Sequence, residues 1–191
     1  SYPCSIAAAS VNALNADPEV MRYLTGQPET REETQAVIAR VKHRWATVGY
    51  SWWSFIDRDS GEVVGAGALQ NLRREATAEP DPACPVEIGW RLRRDRWKQG
   101  LASEAARAMA GHAFDGLRLN ELYAVCNPAN LASAQVMQRL GMQDAGIQQP
   151  LGDKCSPACG KEVCRGESTA RFEVREERNF PVQLVEIVDG Q

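Results

Sequence analysis

Residues 86–117 restrict the fold more than any other stretch of the chain. Val86-Glu87-Ile88-Gly89-Trp90-Arg91-Leu92 reads as a short strand, and residues 93–100 read as a charged loop closed by a glycine. Ala102, Ala106, Met109, Ala110, Ala113, Phe114 and Leu117 then mark one face of a helix. That face is mostly small side chains, so the helix can lie close against a sheet. A strand that passes through a tight loop into such a helix points to a mixed α/β architecture.

The flanking text has compatible periods. Asp17-Pro18-Glu19 is a helix start within residues 12–24, with Asp17 as N-cap, Pro18 at the first helical position and Gly26 as the stop. Thr30-Arg31-Glu32-Glu33 is a capping box, followed by Val37, Ile38, Val41, Trp45 and Val48 at helical spacing. Residues 50–56 and 62–72 are strand-like and flank the turn Asp57-Arg58-Asp59-Ser60-Gly61, which makes them a hairpin. Residues 75–87 hold prolines and acids unsuited to a sheet interior and read as a loop. Beyond the central helix, residues 121–126 form a strand, 129–140 a helix closed by Gly141, and 142–147 a further strand. Residues 149–167, rich in Gly, Pro, Cys and charge, read as a loop or insertion, and 170–176 as a late strand.

A chain of 191 residues, 43% hydrophobic, is long enough for one sizeable core, so a single domain spanning 1–191 is expected. Its formal charge of -3 provides no global field for polyanions, which argues against nucleic acid or anionic lipid as partners. Any anion site must be local. No run of about 18 apolar residues is present and residues 1–10 lack a basic leader, so the expected protein is soluble and cytoplasmic, with no membrane partner. A monomer or a homodimer fits. Cys4, Cys84 and Cys126 are scattered and are expected as reduced thiols. Cys155, Cys159 and Cys164 cluster without CxxC spacing or a nearby histidine; a zinc site there would need a fourth ligand from elsewhere, and free thiols or one disulfide are the other readings.

Two constellations carry chemistry. A glycine at the entry of a helix places free backbone N–H groups and the positive helix end at one point, which suits phosphate. Alone, the stretch Arg96-Trp97-Lys98-Gln99-Gly100-Leu101-Ala102-Ser103 fits a phosphate site and a helix start with a packing glycine equally, and it matches neither GxxxxGK[ST] nor GxGxxG. The second is Asn127-Pro128-Ala129-Asn130-Leu131-Ala132-Ser133, leaving a strand and entering a helix that ends at Leu140-Gly141-Met142. Asn127 and Asn130 read equally well as turn and N-cap residues.

Taken together, Glu87-Ile88-Gly89-Trp90-Arg91-Leu92, Trp97 to Ala105, and Asn127-x2-Asn130-x2-Ser133-x7-Gly141-Met142 resemble the GNAT superfamily of N-acyltransferases, most closely its RimJ/RimL-like branch. The likeness runs over about 12–146 and includes Val64-Gly65-Ala66-Gly67. The loop at 149–167 and the tail at 179–191 lie outside it. The resemblance implies a strongly twisted, mostly antiparallel sheet that parts near its centre, with helices on both faces. It implies acetyl-CoA as co-substrate and an amine acceptor, either a protein N-terminus or a small molecule such as an aminoglycoside or polyamine. It implies that amides of Lys98, Gln99, Gly100, Leu101, Ala102 and Ser103, after Trp97, hold the CoA pyrophosphate. It also implies that Ile88, Gly89, Trp90, Arg91 and Leu92 pair with pantetheine, which Asn127 and Asn130 touch from the other side. Ser133 would protonate the departing thiolate, and Glu87 would accept the amine proton.

Three positions depart from the family pattern. Lys98 and Gln99 stand where a glycine and a basic residue are common, and Met137 replaces a tyrosine that many members use as the acid. Glu87 also has a purely structural reading, an ion pair with Arg91 or Arg93, and Ser133 one as a first-turn helix residue. A different class of function fits as well: a CoA- or zinc-binding interaction module without transferase chemistry.

Overall fold

The Thr30 hydroxyl accepts a hydrogen bond from the Glu33 amide at 3.2 Å, and the Glu33 carboxylate accepts one from the Thr30 amide at 2.7 Å. This reciprocal cap starts α3 (Arg31–Val48), which ends at Gly49 with a left-handed φ of 78°. In the computed structural model, residues 4–72, 81–143, 164–166 and 182–186 are described.

Asp17 caps the next segment as expected, its carboxylate accepting from the Glu19 amide at 2.9 Å, but the helix it starts, α2 (Pro18–Met21), is one turn long. The chain tightens after it and the Gly26 amide donates to the Met21 carbonyl. The larger helix of this region is α1 (Cys4–Asn15), ahead of the cap. Its alanine-rich start carries no capping signal, yet Val11 and Leu14 on its last turns are buried.

The remaining elements are β1 (Trp52–Asp57), β2 (Val63–Asn71), β3 (Val86–Leu92), a 3-10 turn at Arg94–Arg96, α4 (Leu101–Gly111) widening into a π turn at His112–Gly116, β4 (Leu122–Ala124), α5 (Leu131–Arg139), β5 (Met142–Gln143), β6 (Cys164–Gly166) and β7 (Val182–Glu186). The architecture is mixed α/β. The chain divides into two compact units, and β2, β3 and α4 each contribute residues to both.

The first unit comprises Ser1–Ala68, Trp90–Ala105 and Glu177–Gln191. Its strand order is β7-β1-β2-β3. β1 pairs antiparallel with β2 from Trp52↔Ala68 to Ile56↔Val63, with an irregularity between Phe55 and Ile56, and antiparallel with β7. β7 lies in the tail that falls outside the family likeness. The helices cover this sheet through Leu14, Val20 and Ala66, and through Val11, Ile38 and Val41, with Trp52 packed against both groups. Trp45 donates Nε1–H to the Trp52 carbonyl at 3.0 Å and meets Trp53 edge-on at 5.1 Å. Gly65 is where two backbones approach most closely: a Cβ there would lie 2.5 Å from the Arg91 carbonyl oxygen and 2.6 Å from Leu92.

The second unit comprises Leu69–Gly89 and Ala106–Glu176, with strand order β2-β3-β4-β6-β5. β3 and β4 run parallel, and the other described pairings in this unit, β4 with β6 and β5 with β6, are antiparallel. Leu69, Leu72, Val86, Ile88, Ala106, Met109, Ala110, Leu122, Tyr123, Val136, Met137 and Leu140 are buried in this unit. The segment 149–167, expected as a loop, supplies β6, which separates β5 from β4; pairing decides this strand, since its local sequence is poor in strand formers. Residues 144–147 and the strand expected at 170–176 lie outside the described residues. Cys84 is disulfide-bonded and Cys126 is a thiol outside any disulfide, which corrects the expectation of a reduced thiol at Cys84.

Candidate functional site

In the first unit, the residues after β3 are pinned before they reach α4. The Trp97 indole donates to the Leu92 carbonyl at 2.9 Å, and its backbone amide closes the 3-10 turn onto Arg94. Lys98 and Gly100 then both adopt left-handed conformations, φ 62° and 84°. Lys98 thus holds a backbone shape that glycine favours, at a position where the resembling family commonly has glycine. The first helical bond is Glu104 N–H to the Gly100 carbonyl at 3.1 Å. The five backbone amides from Lys98 to Ala102 donate to no acceptor among the described residues. An open row of donors at the positive end of a helix binds an anion, and a Cβ on Gly100 would meet nothing within 4 Å, so the space in front is clear. Leu101 and Ser103 turn inward and are buried, while Lys98 and Gln99 are exposed.

Ion pairs root this loop on the β1–β2 hairpin. Arg96 lies 3.1 Å from Asp57 and 3.4 Å from Glu62, and Arg93 lies 2.8 Å from Asp95 and 3.3 Å from Glu62. The Asp57 carboxyl is held below its ordinary range, first by the Ser60 amide and then by the Asp59 amide, the Ser60 hydroxyl and the Arg96 charge. Asp95 is held low chiefly by its hydrogen bond from Arg93, which itself is raised by the same contact. A cleft of about 890 Å³ opens beside these charges, lined in part by Leu14, Asp17, Val20, Glu62, Arg93 and Arg94.

In the second unit, β3 and β4 share the single register pair Glu87↔Tyr123. Past it Ile88 is buried, and a Cβ on Gly89 would meet nothing within 4 Å. Glu87 is half-buried and its Oε1 accepts a 2.8 Å hydrogen bond from Gln70 Nε2. Neither Arg91 nor Arg93 pairs with it, which overturns the structural reading of Glu87 as their ion-pair partner. After β4, the Asn127 side-chain oxygen accepts from the Ala129 amide at 2.9 Å, and the Asn130 oxygen caps α5 by accepting from the Ser133 amide at 3.2 Å. Both side-chain oxygens are therefore used locally, which leaves each Nδ2 as a donor without an acceptor among the described residues. The Ser133 hydroxyl is half-buried and also has no partner among them, whereas Met137 is buried in the core.

The residues expected in the site thus fall into two sets: Trp90, Arg91, Leu92 and the Trp97 to Ser103 loop in the first unit, and Glu87, Ile88, Gly89, Asn127, Asn130 and Ser133 in the second. Gln70 and the Arg96–Asp57 pair were not foreseeable as site neighbours from local pattern. The one local signal for Gln70 is its polar side chain near the end of a mostly apolar strand, while a pair 39 residues apart leaves no local signal. Cys155 and Cys159 lie outside the described residues, as does the Cys164 side chain. Among the described residues, no group of three or more His, Cys, Asp or Glu is placed to hold a metal ion, and no helix is long and apolar enough to cross a membrane.

The chain is similar to known proteins over most of its length. The model of the acetyltransferase (GNAT) domain matches residues 5–143. The uncharacterized N-acetyltransferase YnaD of Bacillus subtilis (strain 168) is 28% identical over 148 residues, 78% of each chain. The FsC-acetyl coenzyme A-N(2)-transacetylase of Aspergillus fumigatus is 31% identical over 136 residues, 68% of this chain and 55% of its own. Among solved structures, AAC(6')-Ib in complex with paromomycin and acetyl-CoA superposes with a TM-score of 0.67 at 13% identity, over 93% of this chain and 96% of that one.

Proposed function

Since the chain belongs to the GNAT acetyltransferase family, an acetyl-CoA-dependent group of N-acetyltransferases, we propose that it moves the acetyl group onto a primary amine of a small molecule by direct attack. Acetyl-CoA is the co-substrate. The observation that carries the reading is the row of unoccupied amides from Lys98 to Ala102 at the start of α4, a cradle for the CoA pyrophosphate. Ile88, Gly89, Trp90, Arg91 and Leu92 pair with the pantetheine arm through their backbone, as the parting of β3 from β4 after Glu87 allows. The Nδ2 groups of Asn127 and Asn130 donate to the arm from the other side.

An alkyl amine has a pKa of about 10 and must lose a proton before it attacks. Glu87 takes that proton, directly or through a water. The amine nitrogen bonds to the thioester carbonyl carbon, and backbone amides of β3 stabilise the oxyanion. The carbon–sulfur bond then breaks, and the thiolate leaves as CoA with a proton from Ser133, whose hydroxyl has no other partner among the described residues and regains a proton from the protonated nitrogen of the intermediate, directly or through a water.

A small-molecule acceptor is favoured because AAC(6')-Ib was solved with an aminoglycoside and the fungal relative is named for N(2)-transacetylation. An amine panel of polyamines, aminoglycosides, amino acids and short peptides, read by thiol release from acetyl-CoA, tests it. Turnover of a free small amine supports the reading; turnover confined to peptide N-termini refutes the acceptor class.

A further inference from the structure

The Arg91 side chain is a cation whose usual partner is missing. Its guanidinium carbon lies 4.5 Å from the centroid of the Trp52 ring, a cation–π contact. Its Nε is buried and makes no hydrogen bond, and no carboxylate stands within ion-pair distance of any of its nitrogens among the described residues. The nearest acid, Glu29, is turned elsewhere. Glu29 Oε2 accepts from Asn15 Nδ2 at 2.7 Å and from the Thr34 hydroxyl at 3.4 Å, so it acts on Arg91 only through its field.

Placing the guanidinium Nε–H in such a position is costly, because that donor leaves water without an acceptor to replace it. Burial accordingly pushes the Arg91 pKa down to about 10, with Glu29 opposing the shift, and the group still carries its charge at neutral pH. A structural arginine in the same place would be expected to pair with Glu29, whose carboxylate is instead satisfied by Asn15 and Thr34. What remains is a planar donor fork, in contact with Trp52, on the strand assigned above to the thioester arm. The group that matches such a fork is a planar, two-oxygen anion.

We propose that Arg91 is a specificity-determining residue that binds a carboxylate carried by the amine acceptor. This rests on the acetyl-transfer reading above and narrows it: the acceptor is an amino acid or an amine with an acid group on the same skeleton. Trp52 contacts the guanidinium, and Glu29 keeps the site from becoming a general anion trap.

The test is a matched series of ω-amino acids and the corresponding alkylamines, measured with wild type and with Arg91→Met. One charge-assisted bidentate contact is worth about 1.5–3 kcal/mol, so wild type should favour the amino acid over its matched amine by about 10- to 100-fold in kcat/KM. In Arg91→Met that ratio should fall towards one, and any change in acetyl-CoA affinity cancels from it. A wild-type ratio near one, or an unchanged ratio in the variant, overturns the proposal. Equal losses of thermal stability in Arg91→Met and Glu29→Gln with no change of ratio would make Arg91 a counter-ion only, and also overturn it. Trp52 fluorescence titrated with butyrate gives a second readout, independent of turnover. Quenching that Arg91→Met abolishes supports the carboxylate site even where no amine is acetylated, an outcome that would count against the acetyl-transfer reading alone. Absence of quenching in wild type overturns the site.

Discussion

Gln70 on β2 donates a 2.8 Å hydrogen bond to Glu87 on β3, at the last residue of β3 that keeps register with β4. The bond holds Glu87 Oε1 against the neighbouring strand. Glu87→Gln keeps the shape and removes the base. Steady-state kinetics should show kcat lower by about 10²-fold or more, with acetyl-CoA affinity by titration within about twofold of wild type on the same scale. Unchanged kcat would remove Glu87 from proton transfer.

Ser133 stands free at the first turn of α5 while its amide is held by the Asn130 cap. Ser133→Ala leaves the cap intact, so the fold should tolerate it. The expected effect is a fall in turnover of about tenfold or more with little change in acetyl-CoA affinity. Equal turnover would mean that water protonates the thiolate.

Two left-handed residues shape the anion loop, and they should respond oppositely. Lys98→Gly relieves a φ of 62° and should be neutral to stabilising, within about 1 kcal/mol by thermal melting. Gly100→Ala forces a side chain into φ 84°, a backbone shape that disfavours it, beside the row of amides. Loss of one anion contact there should weaken acetyl-CoA by about tenfold in a binding titration. Unaltered affinity would place the pyrophosphate elsewhere.

The Asp57 carboxylate, which accepts from the Ser60 and Asp59 amides and faces Arg96, makes the loop root sensitive to acid. Asp57 is depressed in the folded protein, so its contribution is complete above the ordinary carboxylate pKa of about 4 and is lost as pH falls through its folded value. Asp95 and Glu33, lowered by Arg93 and by the Thr30 amide, act in the same direction. Thermal midpoints measured between about pH 2 and pH 7 should fall less steeply for Asp57→Asn than for wild type. Parallel curves would show that the Asp57 charge adds nothing to the fold.

Features set by neighbours in sequence were legible, and features set by distant pairing were not. The Thr30–Glu33 box, the Asn130 cap, the bounds of β3 and the glycine entry to α4 each depend on a few consecutive residues, and each appears where its pattern stands. The first helix was hidden because its alanines and serines carry neither a cap nor a clear polar face, and tertiary burial of Val11 and Leu14 decides it. β6 and β7 arise from text that looks like loop and tail, because pairing with β4 and β5 in the one case and with β1 in the other decides them rather than local propensity. In the site, loop and cap residues could be named in advance, while Gln70 at Glu87 and Trp52 under Arg91 depend on strand register.

Direct transfer from acetyl-CoA to an amine is tested most plainly by acetyl-labelled CoA mixed with enzyme, first without and then with a reactive amine, followed by quenching and mass analysis. Direct attack predicts no label on the protein in either case, and CoA and N-acetylated amine appearing in equal amounts once the amine is present. Label retained on the protein, or acetyl-CoA bound and unconsumed with every amine offered, would contradict it.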